Sequence, residues 1–282
     1  MENPNDPLPI PNPYQAPVVT AQPIDGSDPG VGYVPGGSIL SPGEGMEWIS
    51  AAWQLFVKSP MMWILMIVLY AIFYVALAFV PFVGSLAGYL LYGIIGAGWL
   101  ASAQAVATGK KLEIDYLFSG FKTRTNPLII IGAIYAGGLI VILILMVLMA
   151  IVIALSLGAS GAIGALMSGD TSELATFAGA SILTFLFALL IGLALLAPLL
   201  MALWFSPALV YFHDVEPIQA LKISFFACLK NWLPFTVYGI VMILLVIVAA
   251  IPLMLGFLVV GPIALISVYT SYRGVFMPGM RQ

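Results

Sequence analysis

Residues 127–158 read PLIIIGAIYAGGLIVILILMVLMAIVIALSLG, a run with no Asp, Glu, Lys, Arg or His. An uninterrupted apolar stretch longer than about 18 residues is typical of a helix that crosses a membrane. Further apolar runs lie at about 61–80, 83–107, 176–210, 234–251 and 253–272. The sequence therefore predicts an all-α polytopic membrane protein with six transmembrane helices.

The composition of the whole chain points to the same class. Of its 282 residues, 62% are apolar and 7% are Asp, Glu, Lys or Arg, and the mean hydropathy is +1.11. An ordinary soluble domain has roughly 25% charged residues. A soluble enzyme, a nucleic-acid-binding protein and a secreted disulfide scaffold are therefore not expected, and Cys228 has no second cysteine with which to form an internal disulfide.

The first 42 residues differ from the rest and are predicted to form a disordered, acidic, cytoplasmic tail. They contain ten of the twenty prolines, and residues 1–50 carry six acidic side chains with no Lys or Arg. Such a segment buries too little apolar area to offset its conformational entropy, and it lacks the basic and apolar regions of a signal peptide. A six-span membrane domain is expected over residues 43–277, followed by a short cytoplasmic C-terminus over residues 278–282.

The basic residues predict the orientation of the chain. With six spans, every Lys and Arg falls on one side of the membrane, namely Lys58, Lys110, Lys111, Lys122, Arg124, Lys222, Lys230, Arg273 and Arg281. The connections on the other side carry only Asp170 and Glu173. Because short loops rich in Lys and Arg stay in the cytoplasm, both termini are predicted to be cytoplasmic.

A pattern recurs three times along the chain. An amphipathic stretch with aromatic residues leads to a basic residue, a proline and an apolar hairpin, at residues 58–60, 122–127 and 230–234. This predicts an internal repeat that forms three parallel helical hairpins, each preceded by a short interfacial amphipathic helix. The alternative to an internal repeat is that every span that enters the membrane from the cytoplasm favours this motif.

Three prolines, a glycine-containing segment and a ridge of small residues predict irregular or close-packed helices. Pro198, Pro207 and Pro262 are expected to interrupt their spans, and the third run is expected to fray at its glycines into a loop over residues 159–175. In the second run a ridge of small residues permits close approach of another helix in the same chain, and it consists of Gly93, Ala97, Ala101 and Ala105.

The predicted spans carry no charge, which limits their chemistry. Asp, Glu, Lys, Arg and His are absent from residues 61–109, 127–169, 174–212 and 231–272. Ion-coupled transporters and proton pumps place such groups at bilayer depth. The sequence also offers no phosphate-binding loop, no paired catalytic carboxylates and no cluster of metal ligands, so we expect no catalytic residue, no cofactor and no metal.

Eight residues remain as candidates for an interaction site or for the lining of a cavity. They are His213, Asp214, Glu216, Asn231, Trp232, Gln104, Tyr89 and Tyr92. Asp214 or Glu216 is expected to cap the helix that begins near Pro217. A hydrolase that uses His213 and Asp214 is a weaker hypothesis, because the sequence supplies no nucleophile motif beside them.

Residues 204–210, WFSPALV, and residues 220–235, ALKISFFACLKNWLPF, resemble a family of uncharacterised six-span inner-membrane proteins of proteobacteria. The likeness covers about residues 45–277. That family is distantly similar to the membrane domains attached to some glycerophosphodiester phosphodiesterases, but this chain has no hydrolase domain to which that activity belongs. The resemblance implies a bacterial inner membrane and six spans, and it carries no activity.

Two functions fit these observations. The first is a non-enzymatic membrane scaffold or assembly partner, with a protein partner bound through the tail, where residues 12–17 (NPYQAP) suit either a docking peptide or a solvated linker. The alternative is a transporter or lipid-handling protein for an uncharged or lipid-like substrate. Membrane lipids are expected partners in both cases, and nucleic acid in neither.

Overall fold

The computed structural model describes residues 32–157, 159–169 and 171–280. These residues form α-helices and short turns, with no β-strand among them. The helices are α1 (Glu44–Val57), α2 (Pro60–Ala78), α3 (Val83–Leu90), α4 (Tyr92–Ala107), α5 (Ser119–Lys122), α6 (Thr125–Leu157), α7 (Ala159–Ser168), α8 (Thr171–Trp204), α9 (Ser206–His213), α10 (Pro217–Lys230), α11 (Trp232–Ala250) and α12 (Phe257–Phe276). Short 3-10 helices lie at Ile114–Phe118 and Pro278–Met280.

Five stretches within the described residues are long and apolar enough to cross a membrane. They lie in α2, in α6, in the end of α8 together with α9, in α11 and in α12. A sixth span is present if α3 and α4, which are bent by 46° at their junction, are counted as one. The all-α membrane class and a count of five to six spans therefore agree with the sequence.

The third predicted run does not fray where its glycines suggested. The segment from residue 159 is helical, because α7 covers Ala159–Ser168 and α8 begins at Thr171. The predicted loop over 159–175 was therefore wrong for most of its length, while Gly158 and Asp170 lie outside the described residues. A helix satisfies its own backbone groups, which compensates for poor helix formers wherever water is excluded.

Only one of the three prolines predicted to interrupt a span lies at a helix boundary. Pro198 is inside α8 and Pro262 is inside α12. Pro207 lies in the first turn of α9, directly after a break at Phe205. Proline is tolerated in a first turn because the backbone N–H at that position has no partner within its own helix.

Helix α12 forms the centre of the bundle. It packs against α1, α2, α4 and α11. In α12, 56% of the apolar window is buried, against 22% or less in the other four candidate spans. In the apolar windows of those four spans most residues are not buried, as expected of helices that face lipid.

Glycines allow α6 to approach both α3 and α4 closely. A Cβ atom on Gly93 would lie 2.4 Å from the carbonyl oxygen of Leu128, and one on Gly132 would lie 2.1 Å from that of Leu90. Real Cβ atoms do not approach an oxygen so closely, so both positions require glycine. The predicted ridge of small residues is buried inside the protein, and consists of Gly93, Ala97, Ala101 and Ala105.

The short helices and the hairpins follow the predicted order only in part. Helices α1 and α10 precede α2 and α11, but a 3-10 helix and the single turn α5 precede α6. The apolar face of α1, with Trp48, Ile49 and Phe56, is buried and packs against α11 and α12, whereas Trp53 is half-exposed. An interfacial position for these helices and a parallel arrangement of the hairpins stay predictions.

Residues 33–40, which we call the strap, lie against the end of the membrane domain. The backbone N–H of Val34 donates to the Phe276 carbonyl at 2.9 Å, and that of Ser38 donates to the Val275 carbonyl at 2.7 Å. Contacts with the domain therefore begin before the predicted boundary at residue 42. Residues 1–31 lie outside the described residues, and the disorder predicted for them stays a prediction.

Gly93→Ala tests whether the contact between α4 and α6 depends on glycine. The added methyl group must push the two backbones apart, so we expect a loss of about 1–3 kcal/mol in the free energy of unfolding. Gly239→Ala in α11 is the matched control, because nothing lies within 4 Å of its Cβ position and alanine is the better helix former. The measurement is thermal unfolding in one mild detergent. Equal midpoints for the two variants would contradict the packing described.

Candidate functional site

A cavity lined by tyrosines lies between α2, α3, α4 and α6. Its outer part has a volume of about 450 Å³. An inner part of about 90 Å³ is lined by residues of α2, α4, α8, α9 and α12. The tyrosines of the outer part are Tyr70, Tyr74, Tyr89, Tyr92 and Tyr135, and three of them, Tyr70, Tyr74 and Tyr92, also line the inner part. We call the two parts together the tyrosine cavity.

The outer part opens beside α3. Ser85 and Tyr89 are exposed there, whereas Gly84 and Gly88 are buried. A Cβ atom on Gly88 would lie 3.3 Å from the ring of Tyr74, so the glycine keeps space free for that ring. The opening is next to the turn between α2 and α3, at the end of α2 that is remote from Lys58.

The inner part ends at the break between α8 and α9. Pro207 has no N–H to give to the carbonyl of Leu203, four residues earlier. Two hydroxyl groups replace that donor, since Ser206 Oγ donates to the Leu203 carbonyl at 3.2 Å and Tyr92 Oη does so at 3.4 Å. Tyr92 therefore lines the cavity and at the same time bonds the broken backbone.

Helix α10 supplies the remaining partners of the break. The N–H of Phe205 donates to Ser224 Oγ at 2.9 Å instead of to the carbonyl of Met201. That carbonyl accepts from Ser224 Oγ at 2.7 Å and from Cys228 Sγ at 3.4 Å. Ser224 thus bridges the gap in the helical hydrogen bonds. Through this residue the stretch 220–235 is bonded directly to the stretch 204–210.

Cys228 is a structural thiol. It is 3% exposed, and burial raises the pKa of its thiol to about 12. A thiol with so high a pKa stays protonated near neutral pH and is a poor nucleophile. The residue therefore acts as a small buried hydrogen-bond donor.

Trp99 forms part of the wall of the inner cavity. Its indole is 3% exposed and stacks on Trp63, with 5.9 Å between the ring centroids. The Trp99 Nε1–H is buried and has no hydrogen-bond acceptor within the described part of the chain. Most buried N–H groups in proteins are hydrogen-bonded, so this indole is an exception.

Three predicted site residues lie together outside this cavity. His213 Nε2 is hydrogen-bonded to the hydroxyl of Tyr272, and the ring of Tyr33 in the strap stacks on the imidazole with 3.7 Å between centroids. Asp214 has φ 56°, ends α9 and forms an ion pair with Arg124. Glu216 lies at the N-cap of α10 but makes no side-chain capping hydrogen bond, so capping by that carboxylate is not observed.

Asn231 fastens the strap to the membrane domain. Its amide nitrogen donates to the Ser38 carbonyl and to the Ala227 carbonyl, both at 2.9 Å. Its amide oxygen accepts from the N–H of Leu40 at 2.8 Å. Asn231 occupies the N-cap position of α11, but its side chain makes no capping hydrogen bond there and bonds the strap and α10 instead.

The remaining predicted residues are distributed over different surfaces. Trp232 is exposed and borders a separate groove of about 330 Å³ between α8, α10 and α11. Gln104 is exposed and lines neither part of the tyrosine cavity. Of the eight predicted residues, only Tyr89 and Tyr92 line this cavity.

Sequence reasoning missed most of the lining. The residues it did not single out as candidates include Tyr70, Tyr74, Trp99 and Tyr135. One signal was available, since Tyr70 and Tyr74 are four residues apart and therefore lie on one face of α2. Nothing in the sequence showed that this face would meet α3 and α4.

Ser224→Ala tests the bridge across the helix break. Removal of the hydroxyl leaves the buried N–H of Phe205 without an acceptor, so we expect a loss of about 1–3 kcal/mol in the free energy of unfolding. Cys228→Ala is the control, because it removes only a weak S–H donor to the same carbonyl. Thermal unfolding in detergent measures both variants. A Ser224→Ala variant as stable as Cys228→Ala would show that the hydroxyl does not hold the break.

Comparison with known proteins identifies one clear relative. A probable inner membrane protein of Burkholderia thailandensis is 30% identical over 250 residues, which cover 82% of this chain and 90% of that protein. No family model and no solved structure matches the chain. The distant similarity to membrane domains of glycerophosphodiester phosphodiesterases is not shown by these comparisons. The identity and the coverage establish that the chain belongs to the same family of bacterial inner-membrane proteins as its Burkholderia relative.

Proposed function

We propose that the protein is a transporter or lipid-handling protein that binds an uncharged, membrane-soluble molecule in the tyrosine cavity. The observation that carries this proposal is the cavity itself, which lies among the candidate spans and opens beside α3. Its outer volume of about 450 Å³ falls in the range of roughly 300–1,000 Å³ that is usual for small-molecule sites.

The lining favours a neutral ligand. Aromatic rings, aliphatic side chains, glycines and one serine form the walls, and no Asp, Glu, Lys, Arg or His is among the lining residues. A charged ligand would lose its hydration in such a site without gaining a counter-ion. The same lining offers no general acid, general base or metal ligand beyond phenol groups, so we propose binding without catalysis.

The proposed orientation places the opening away from the cytoplasm. Basic residues flank the starts of α2, α6 and α11 and the ends of α4, α10 and α12, and short connections rich in Lys and Arg remain cytoplasmic. The turn between α2 and α3 is then on the opposite side. A ligand would therefore reach the cavity from the outer half of the inner membrane, between α3 and its neighbours α2 and α6. In this proposal the three hairpins are parallel, and the short helices that precede them lie in the cytoplasmic interface.

Ser85→Phe tests this function. The phenyl ring fills the opening. We therefore expect the occupancy of an uncharged molecule bound to the purified protein to fall by about fivefold or more, which corresponds to roughly 1 kcal/mol. Leu86→Phe is the matched control, because Leu86 is exposed on the same helix and does not line the cavity. Native mass spectrometry and lipid analysis of one mild-detergent preparation measure the bound molecules. The proposal would be contradicted if both variants bound the same amount of uncharged molecules and if the bound molecules had the lipid composition of the bulk membrane.

The strap favours a second candidate function, that of a membrane scaffold. Asn231 and Lys230 bond the strap at Leu40, Ser38 and Gly36, so residues 1–31 continue from a fixed point on the domain. A partner that binds the acidic, proline-rich segment would then be held at that point.

Deletion of residues 1–31 tests the scaffold function separately. The strap and its hydrogen bonds are kept, so we expect an unchanged unfolding midpoint and the loss of a stoichiometric protein that co-purifies with the full chain. The loss is measured by native mass spectrometry. A full-length protein that purifies alone, or a partner that is retained after the deletion, would contradict a scaffold function of this segment.

A further inference from the structure

We propose that the tyrosine cavity is one end of a passage for an uncharged lipid across the membrane domain, and that the indole of Trp204 is the gate of this passage. The other end is the groove of about 330 Å³ between α8, α10 and α11, which we call the α11 groove. This inference rests on the proposed function and adds the route by which the bound molecule moves.

Trp204 is the wall that the two spaces share. Of the described residues, it alone lines both the inner part of the tyrosine cavity and the α11 groove. Toward α12, its Nε1–H donates to Ser271 Oγ at 3.1 Å, one turn beyond Val268 of the cavity wall. Toward α11, its ring meets the edge of the Phe235 ring, which lines the groove, with 5.4 Å between centroids. The indole itself therefore separates the two spaces.

The two spaces lie at opposite ends of the spans. The outer part of the tyrosine cavity is lined by Leu77 and Ala78, the last two residues of α2. The α11 groove is lined by Trp232, the first residue of α11, and by Thr236 in the next turn. With α3 and α4 counted as one span, α2 and α11 are the first and fifth spans and cross in the same direction. The end of α2 and the start of α11 then face opposite sides of the membrane, so the cavity and the groove together reach both halves of the bilayer.

The lining of the α11 groove suits the same kind of molecule as the cavity. Aliphatic and aromatic side chains, a thiol and a threonine form it, and none of the described lining residues is Asp, Glu, Lys, Arg or His. The Thr236 hydroxyl already donates to the Trp232 carbonyl at 2.8 Å. A charged group would lose its hydration there without gaining a counter-ion, whereas an apolar chain loses nothing. The occupant of the groove is therefore the same uncharged lipid.

The position of Trp204 allows the gate to open. Trp204 is the last residue of α8, directly before the break at Phe205. The ends of helices are positions where a small change of backbone angles moves a side chain. An indole has one polar hydrogen, and its bond to the Ser271 hydroxyl holds the ring in the closed position. The adjoining groove has room for a displaced ring.

Trp204→Ala removes the gate and tests the passage. The full-length chain is reconstituted in liposomes with NBD-glucosylceramide, an uncharged lipid whose sugar must shed its hydration to cross a bilayer. Dithionite bleaches the probe in the outer leaflet, and the bleaching that follows measures the rate of crossing. We expect the unaltered chain to exceed protein-free liposomes, and Trp204→Ala to be about tenfold faster than the unaltered chain. Trp232→Ala is the matched control, because that indole lines the groove only, and it is expected to keep the unaltered rate.

Two milder variants keep the test independent of the folding of Trp204→Ala. Ser271→Ala leaves the indole N–H without an acceptor in the closed position, so we expect about fivefold faster crossing than in the unaltered chain. Ala197→Phe places a ring in the α11 groove and is expected to return crossing to the rate of protein-free liposomes. Ala194→Phe is its control, since Ala194 is exposed one turn earlier on α8 and lines neither space.

A charged probe separates a passage from a leak. NBD-phosphatidylglycerol carries a charged phosphate, so we expect it to cross at the rate of protein-free liposomes in every variant. Equal acceleration of both probes would overturn the passage. A Ser271→Ala rate equal to that of the unaltered chain would overturn the gate, as would equal rates for Ala197→Phe and Ala194→Phe.

The two proposals fail in different ways. If no variant moves the glycolipid faster than protein-free liposomes, but Ser85→Phe still removes a co-purified uncharged molecule, the passage is wrong and binding in the tyrosine cavity stands. If the glycolipid does not cross and no uncharged molecule co-purifies with the unaltered chain, both proposals are wrong.

Discussion

In a bilayer every backbone N–H and carbonyl group needs a partner within the protein, since no water is available to supply one. The break between α8 and α9 illustrates this constraint. Pro207 has no N–H, and the N–H of Phe205 donates to Ser224 outside its own helix, so each residue removes one helical hydrogen bond. Hydroxyl groups of Ser206, Ser224 and Tyr92 replace the lost partners. The packing of α10 and α4 against the fourth span depends on these bonds.

The tyrosine cavity is a consequence of the same arrangement. Tyr92 bonds the Leu203 carbonyl beside the break, so α4 is held against the end of α8. Glycines bring α4 close to α6, and the bend between α3 and α4 turns α3 toward α2. Large aromatic side chains lie between helices whose backbones are fixed elsewhere by small residues. Large rings that meet at an angle do not fill the volume between the helices, and the unfilled volume is the tyrosine cavity.

The sequence predicts the parts of the fold that depend on apolar length. The limits of α2, α6 and α11 lie within two residues of the runs 61–80, 127–158 and 234–251. The sequence does not predict the contacts of a polar side chain that bonds across the bundle. Asn231 lies at the N-cap position of α11, but its side chain bonds the strap, almost 200 residues away in the chain. The cavity was missed for the same reason, because its walls come from separate spans.

A density map of the purified protein in lipid nanodiscs, at a resolution that shows side chains, tests the central claim most directly. The account predicts elongated non-protein density between Tyr89 at the opening and Trp99 at the inner wall, with Tyr92 bonded to the Leu203 carbonyl. Side chains of α2 and α3 packed together, with no space between Tyr74 and Tyr92, would contradict a ligand site within the membrane domain.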